Sequence, residues 1–179
     1  MTSTPMPPGL ARFNVLPDDT VRAALLEACA SPVWAERLLA ARPCAIPDDL
    51  YAASDAAMAE LTGADLREAM AGHPPIGRPE PGDSASAREQ RGMAGASDAL
   101  QAEMLDLNLA YQEKFGHVFL ICATGRTGEQ MRDALKERTG NTPEQEYEIV
   151  RTELGKINRI RLARLLEDTF EDMSGRLNA

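Results

Sequence analysis

The amino-acid sequence predicts an all-α protein, a single-domain bundle of about seven to eight helices. Three observations carry that prediction. Aromatic residues make up only 4% of an alanine-rich chain, a composition that favours helix over sheet. Apolar residues recur at steps of three and four through most segments. Helix start and stop signals punctuate the chain between those segments. A length of 179 residues allows one core, or at most two small ones.

The elements follow in order. Residues 1–12, with Pro5, Pro7, Pro8 and Gly9, read as a mobile tail. Asp18 and Asp19 then open a helix whose Val21, Leu25 and Ala28 share a face. Ser31-Pro32 is an N-cap with proline at the first helical position, and Arg42-Pro43 ends that helix. Asp48 opens a third, with Leu50, Ala57 and Leu61 inward; Thr62-Gly63 breaks it. A brief helix covers about Asp65 to Ala71. Residues 72–83, GHPPIGRPEPGD, hold four prolines and form the longest interior loop, stiffened rather than flexible. A short helix around Ser86 to Gly92 precedes a longer one from about Ser97 to Lys114, which carries Leu100, Met104, Leu107 and Tyr111 and stops at Gly116. The apolar run VFLIC, 118–122, has strand character, but a lone strand in so helical a chain lacks a pairing partner and is expected to be an extended buried connector. Thr127 and Thr142 each begin a capping box; the helix after the first runs to Thr139, and the last runs to about Met173. The single helical domain is thus expected at 13–173, with 174–179 as a C-terminal tail.

Composition excludes several functions. Nineteen basic against 28 acidic residues give a net charge of −9. With no basic block, this argues against nucleic acid and anionic membranes as partners. No apolar stretch reaches the roughly 18 residues of a membrane span, and the N-terminal residues lack the pattern of a secretory signal; a cytoplasmic protein is expected. Cys29, Cys44 and Cys122 are odd in number and lack CxxC spacing, the pattern of buried reduced thiols. No metal site is expected, because HExxH and clustered His/Cys spacings are missing. GxSxG, a Walker loop and GxGxxG are missing too, and GRTG at 125–128 is a short anion-binding signal at a helix start.

Few residues remain to carry chemistry. His73 and His117 are the only histidines, and histidine is the side chain suited to proton transfer near neutral pH. His73 stands before two loop-stiffening prolines; it either serves catalysis or caps the preceding helix. His117 reads as structural. Glu89 shares a helix side with Ala85 and Met93, which turns it inward, while Arg88 and Arg91 read as solvated. In the last helix Tyr147, Val150, Leu154 and Ile157 form an apolar seam whose next position is Arg161. A guanidinium there requires an anionic partner or a path to water. The alternatives are an internal salt bridge, a snorkelling side chain, or a socket for a substrate carboxylate.

Five segments in order, RPCAIPDDL, GHPPIG, SAREQRG, LNLAYQEKFGHVFLICATGR and ELGKINRIRLARLL, resemble the 2-oxo-4-hydroxy-4-carboxy-5-ureidoimidazoline (OHCU) decarboxylases of urate breakdown. The resemblance covers about residues 13 to 168. The resemblance implies an all-helical, often dimeric protein that needs no cofactor and forms S-allantoin from a small ureidoimidazoline carboxylate. It assigns His73 the central catalytic role, with Glu89 and Arg161. It assigns substrate binding to Pro74, Ser86, Gln90, Ile121 and Arg161, with the stretch after Phe119 lining the pocket partly through backbone groups. His73, Glu89 and Arg161 are then expected to face one pocket. Many eukaryotic relatives end in a peroxisomal tripeptide; this chain ends RLNA, which again implies the cytoplasm.

The chemistry suits these residue types. The substrate bears a carboxylate and a hydroxyl on one ring carbon, beside the carbon that carries the ureido group. Electrons left by carbon dioxide can delocalise into the ring system. Arg161 can hold the anion, and His73, oriented by Glu89, can move the proton. The competing reading is a non-catalytic helical interaction module, in which His73 only caps a helix and nothing gathers these side chains.

Overall fold

A computed structural model describes residues 6–167. Among them are nine α-helices and no strand: α1 Pro8–Val15, α2 Asp18–Ala28, α3 Pro32–Ala40, α4 Pro47–Glu60, α5 Gly63–Ala71, α6 Ser84–Glu89, α7 Asp98–Phe115, α8 Gly128–Thr139 and α9 Pro143–Glu167, with a short 3-10 turn at Arg91–Met93. The all-α expectation is met. The expected continuation of the last helix to Met173 and the tail at 174–179 lie outside the described residues. No helix among the described residues is long and apolar enough to cross a membrane.

Local signals start and stop the helices. Ser31 Oγ accepts from the Trp34 N–H at 3.2 Å, and Ser97 Oγ does the same for Leu100. Both capping boxes form: Thr127 and Gln130 exchange bonds of 2.9 and 3.2 Å, and Thr142 and Gln145 bonds of 2.9 and 3.3 Å. Gly116 ends α7 at φ +76°, a left-handed conformation that favours glycine.

Two compact units result, one of residues 6–66 with 155–167, the other of 67–154. In the first, Trp34 is fully buried and its Nε1 donates to Ser54 Oγ at 3.0 Å. This unit also corrects the expected tail, because α1 occupies residues 8–15 with Leu10 and Phe13 at 0% exposure. Pro8 does not break the chain here; it fills the first helical turn, where a missing N–H costs nothing. Long-range contacts then hold α1. Arg42 Nη1 donates to the carbonyls of Phe13 and Leu16, each at 2.9 Å. Gly9 lies so close to Leu166 that a Cβ would sit 1.8 Å from its carbonyl oxygen.

The second unit has its own core. Ile76 from the proline-rich loop, Met93 of the 3-10 turn, Met104 and Tyr111 of α7, Phe119, Ile121 and Ala123 of the connector, and Met131 and Leu135 of α8 form one buried cluster. Beside it lies an ion pair between Arg138 (7% exposed) and Glu146 (0%), with Nη2 to Oε2 at 2.8 Å. Tyr111 also donates its hydroxyl to Glu146, and Asn141 Nδ2 donates to it at 2.8 Å. Burial pushes the Glu146 carboxyl up, but these donors outweigh it and hold the group below its ordinary value. Burial, and then the Glu146 acceptor, push the Tyr111 phenol up.

Candidate active site

His73 follows the end of α5, and its N–H donates to the Met70 carbonyl at 2.9 Å. The next residues cannot relax freely, because Pro74 and Pro75 fix their own φ angles and Gly77 takes φ +86°. Two buried side chains then grip the loop. Gln90 Oε1 accepts from the Gly77 N–H at 2.9 Å, and Asn108 Nδ2 donates to the Ile76 carbonyl at 3.2 Å. His73 itself is half-buried. It lines a cavity of about 460 Å³ together with Arg67, Gln112 and His117, a volume in the range of small-ligand sites. His117, read as structural, packs edge-on against Tyr111, with its Nδ1 3.0 Å from the Val118 carbonyl. Another cavity, about 290 Å³, is bounded by Pro75, Ile76, Gly77, Met104 and Asn108.

The SAREQ segment turns the expected residues inward. Ser86, Glu89 and Gln90 are 2%, 7% and 7% exposed, while Arg88 and Arg91 are exposed. Asp83 caps α6 by accepting from the Ser86 N–H at 2.9 Å. The Ser86 Oγ is buried, and among the described residues no group pairs with it, an unusual state for a buried hydroxyl. Gly92 fixes where this segment meets the CATGR stretch: a Cβ there would lie 1.9 Å from the Arg126 carbonyl oxygen.

The connector is straight, with no helix, turn or bend over 118–123, and Ile121 is 5% exposed. Its backbone is served by charged side chains. Arg138 Nη1 donates to the Leu120 carbonyl at 2.8 Å, Glu153 Oε2 accepts from the Cys122 N–H at 2.8 Å, and Arg126 Nε donates to the Cys122 carbonyl at 3.2 Å.

His73, Pro74, Ser86, Glu89, Gln90 and Ile121 all belong to the unit of residues 67–154, and Arg161 belongs to the other. Of these, His73 is the one that lines the 460 Å³ cavity. Arg161 is half-buried and its Nη1 donates to the Ala28 carbonyl at 2.9 Å, at the last turn of α2. That contact adds a helix end to the partners weighed for it from the sequence.

Sequence reasoning missed Asn108, Arg138 and Glu153. A signal existed for Asn108, which falls in register with Leu100, Met104 and Tyr111 on the apolar side of α7. Glu153 likewise lies between Val150 and Ile157 on the buried side of α9. A polar residue in an apolar stripe needs a partner, and here the partners are backbone groups of the loop and the connector.

Comparison with known proteins agrees with this architecture. A family profile described as OHCU decarboxylase matches residues 14–163. The uric acid degradation bifunctional protein TTL of Arabidopsis thaliana is 33% identical over 153 residues, covering 82% of this chain and 47% of the relative, so the chain spans about half the length of that protein. The 2-oxo-4-hydroxy-4-carboxy-5-ureidoimidazoline decarboxylase of Amia calva is 32% identical over 151 residues, covering 80% of this chain and 84% of the relative. A crystal structure of OHCU decarboxylase in the presence of (S)-allantoin is similar at a TM-score of 0.70 and 32% identity, covering 86% of this chain and 100% of that one. A crystal structure of (S)-allantoin synthase shares the fold at a TM-score of 0.67 and 21% identity, covering 87% and 53%. By fold and sequence the chain falls in the class of the OHCU decarboxylases, among relatives named for uric acid degradation. The chain belongs to the OHCU decarboxylase family.

Proposed function

We propose that this protein decarboxylates 2-oxo-4-hydroxy-4-carboxy-5-ureidoimidazoline to (S)-allantoin without a cofactor. The observation that carries the reading is the held loop: in a chain of this family, the segment just after His73 is gripped by Gln90 and Asn108. Such fixing suits a residue that must present a proton in one geometry.

In this reading Arg161 holds the substrate carboxylate. His73, with Glu89 as its orienting carboxylate, manages the proton at the neighbouring hydroxyl. The bond from ring carbon to carboxylate breaks, carbon dioxide leaves, and the electron pair enters the ring system. A proton delivered to one face of the resulting carbanion equivalent sets the S configuration. The orphaned Ser86 hydroxyl, Pro74, Gln90 and the backbone around Ile121 bind the ring and ureido groups. The same reading takes the protein to be a cytoplasmic homodimer. Reduced thiols fit that compartment, and no disulfide joins the three cysteines.

The test is to add freshly made substrate and follow (S)-allantoin by circular dichroism, with and without dialysis against a strong chelator. Enzyme-dependent appearance of the S signal, unchanged by the chelator, is expected. No rate above the spontaneous one would return the chain to a non-catalytic helical module, and activity restored only by an added metal would overturn the cofactor-free mechanism.

A further inference from the structure

We propose that Glu153 is a positioning residue of the substrate site, acting through the connector backbone without touching substrate. The inference rests on the decarboxylase reading above and adds a residue to it. Its starting point is an accounting of peptide groups. Phe119, Leu120, Ile121 and Ala123 are 2%, 3%, 5% and 3% exposed, and no strand runs beside them among the described residues. Buried N–H and C=O groups need partners all the same.

On one edge those partners are charged side chains. Arg138 takes the Leu120 carbonyl and Glu153 takes the Cys122 N–H. The two bonds replace the pair that a neighbouring strand would supply. In an extended chain the N–H and C=O of one residue face one edge and those of the next residue face the other. Fixing residues 120 and 122 therefore directs the N–H and C=O groups of Phe119 and Ile121 to the other edge. That edge alternates donors and acceptors, as the ring and ureido groups of a ureidoimidazoline do.

Arg138 is bound up with Glu146 in the buried ion pair, so changing it disturbs the core. Glu153 sits on α9 and meets the connector through a charge-assisted bond of 2.8 Å. Its reach decides where the Cys122 amide lies, and so where the opposite edge lies. A residue that only sets the register of a binding edge affects substrate binding more than the chemical step.

Two conservative variants separate this role from a structural one. Glu153→Gln keeps the length and an acceptor oxygen but loses the charge. Glu153→Asp keeps the charge but withdraws the acceptor by one methylene. Kinetics with fresh substrate, melting temperature and the Cys122 amide signal in ¹H–¹⁵N spectra are measured for each. Glu153→Gln is expected to keep KM within about twofold of wild type, and Glu153→Asp to raise KM about tenfold with kcat held within about threefold. The Cys122 amide should shift more in Glu153→Asp than in Glu153→Gln. A reversed order, with Asp the better replacement, would show that charge matters rather than reach and overturn the proposal. So would an unmoved KM in both variants, or a fall in kcat that tracks the melting temperature. If the wild-type protein turns over no substrate, the decarboxylase reading fails instead. The Cys122 amide then still tests the clamp, and a signal equally placed in both variants and wild type would refute it.

Discussion

Gln90 Oε1 accepts the Gly77 N–H at 2.9 Å, joining the residue that ends α6 to the loop that carries His73. The amide that resembled a substrate contact in the sequence thus also fixes the loop. Gln90→Glu retains an acceptor for Gly77, whereas Gln90→Leu leaves a buried N–H unpaired. The expected result is a loss of roughly tenfold or more in kcat/KM for Leu, the scale of one unsatisfied hydrogen bond, and a smaller loss for Glu. Equal losses in steady-state assays would move the role of Gln90 from the loop to the substrate.

Most of the helical frame was legible because its signals are local. Ser31, Thr127 and Thr142 announce helix starts within four residues, and Gly116 announces an end. α1 was not legible, because Pro7 and Pro8 look like breakers until Arg42 and Leu166 are known to close over the segment. The candidate site divides in the same way. His73, Glu89 and Gln90 stand out by type and by the family pattern. The side chains that hold their surroundings, Asn108, Arg138 and Glu153, act on backbone groups 18 to 32 residues away, and no local spacing reveals those partners.

His73→Asn preserves side-chain hydrogen bonding but cannot exchange a proton near pH 7. Loss of general acid–base help costs ~10²–10⁴ in rate. A kcat reduced on that order is expected, with far-ultraviolet circular dichroism and melting temperature unchanged. Near-normal turnover would leave His73 as a helix-ending residue whose backbone N–H meets the Met70 carbonyl.

Glu146 makes stability depend on acid. Its carboxyl lies below the ordinary value in the folded chain. The stabilisation is therefore fully present above the unfolded value, about 4.3, and is lost as the pH falls through the lower folded value. Melting temperature measured from pH 7 downward should fall across that acid window. Glu146→Gln should weaken that dependence and be less stable at pH 7 by about 3–5 kcal/mol, because Arg138 is left without its counter-charge. An equally steep acid profile in the variant would place the responsible carboxylate elsewhere.

Arg161 separates structure from chemistry most directly. Its Nη1 donates to the Ala28 carbonyl at 2.9 Å, where the closing turn of α2 presents the negative end of its dipole. The same positive charge pulls the neighbouring Cys29 thiol down, although burial dominates and pushes it up. A cation at a helix end contributes about 0.3–1 kcal/mol, so Arg161→Ala should lower the melting temperature only slightly, and Arg161→Lys less still. Turnover should respond differently. A substrate carboxylate gripped by two parallel N–H groups loses that geometry with lysine as well as with alanine, and kcat/KM should fall about tenfold or more in both. Melting temperature and kcat/KM measured for each variant decide the matter. A large drop in melting with activity retained in the folded fraction would make Arg161 a cap for α2, and the substrate carboxylate would need another cation. Full activity in the lysine variant would show that charge alone suffices and that the planar fork of arginine is not what binds the substrate.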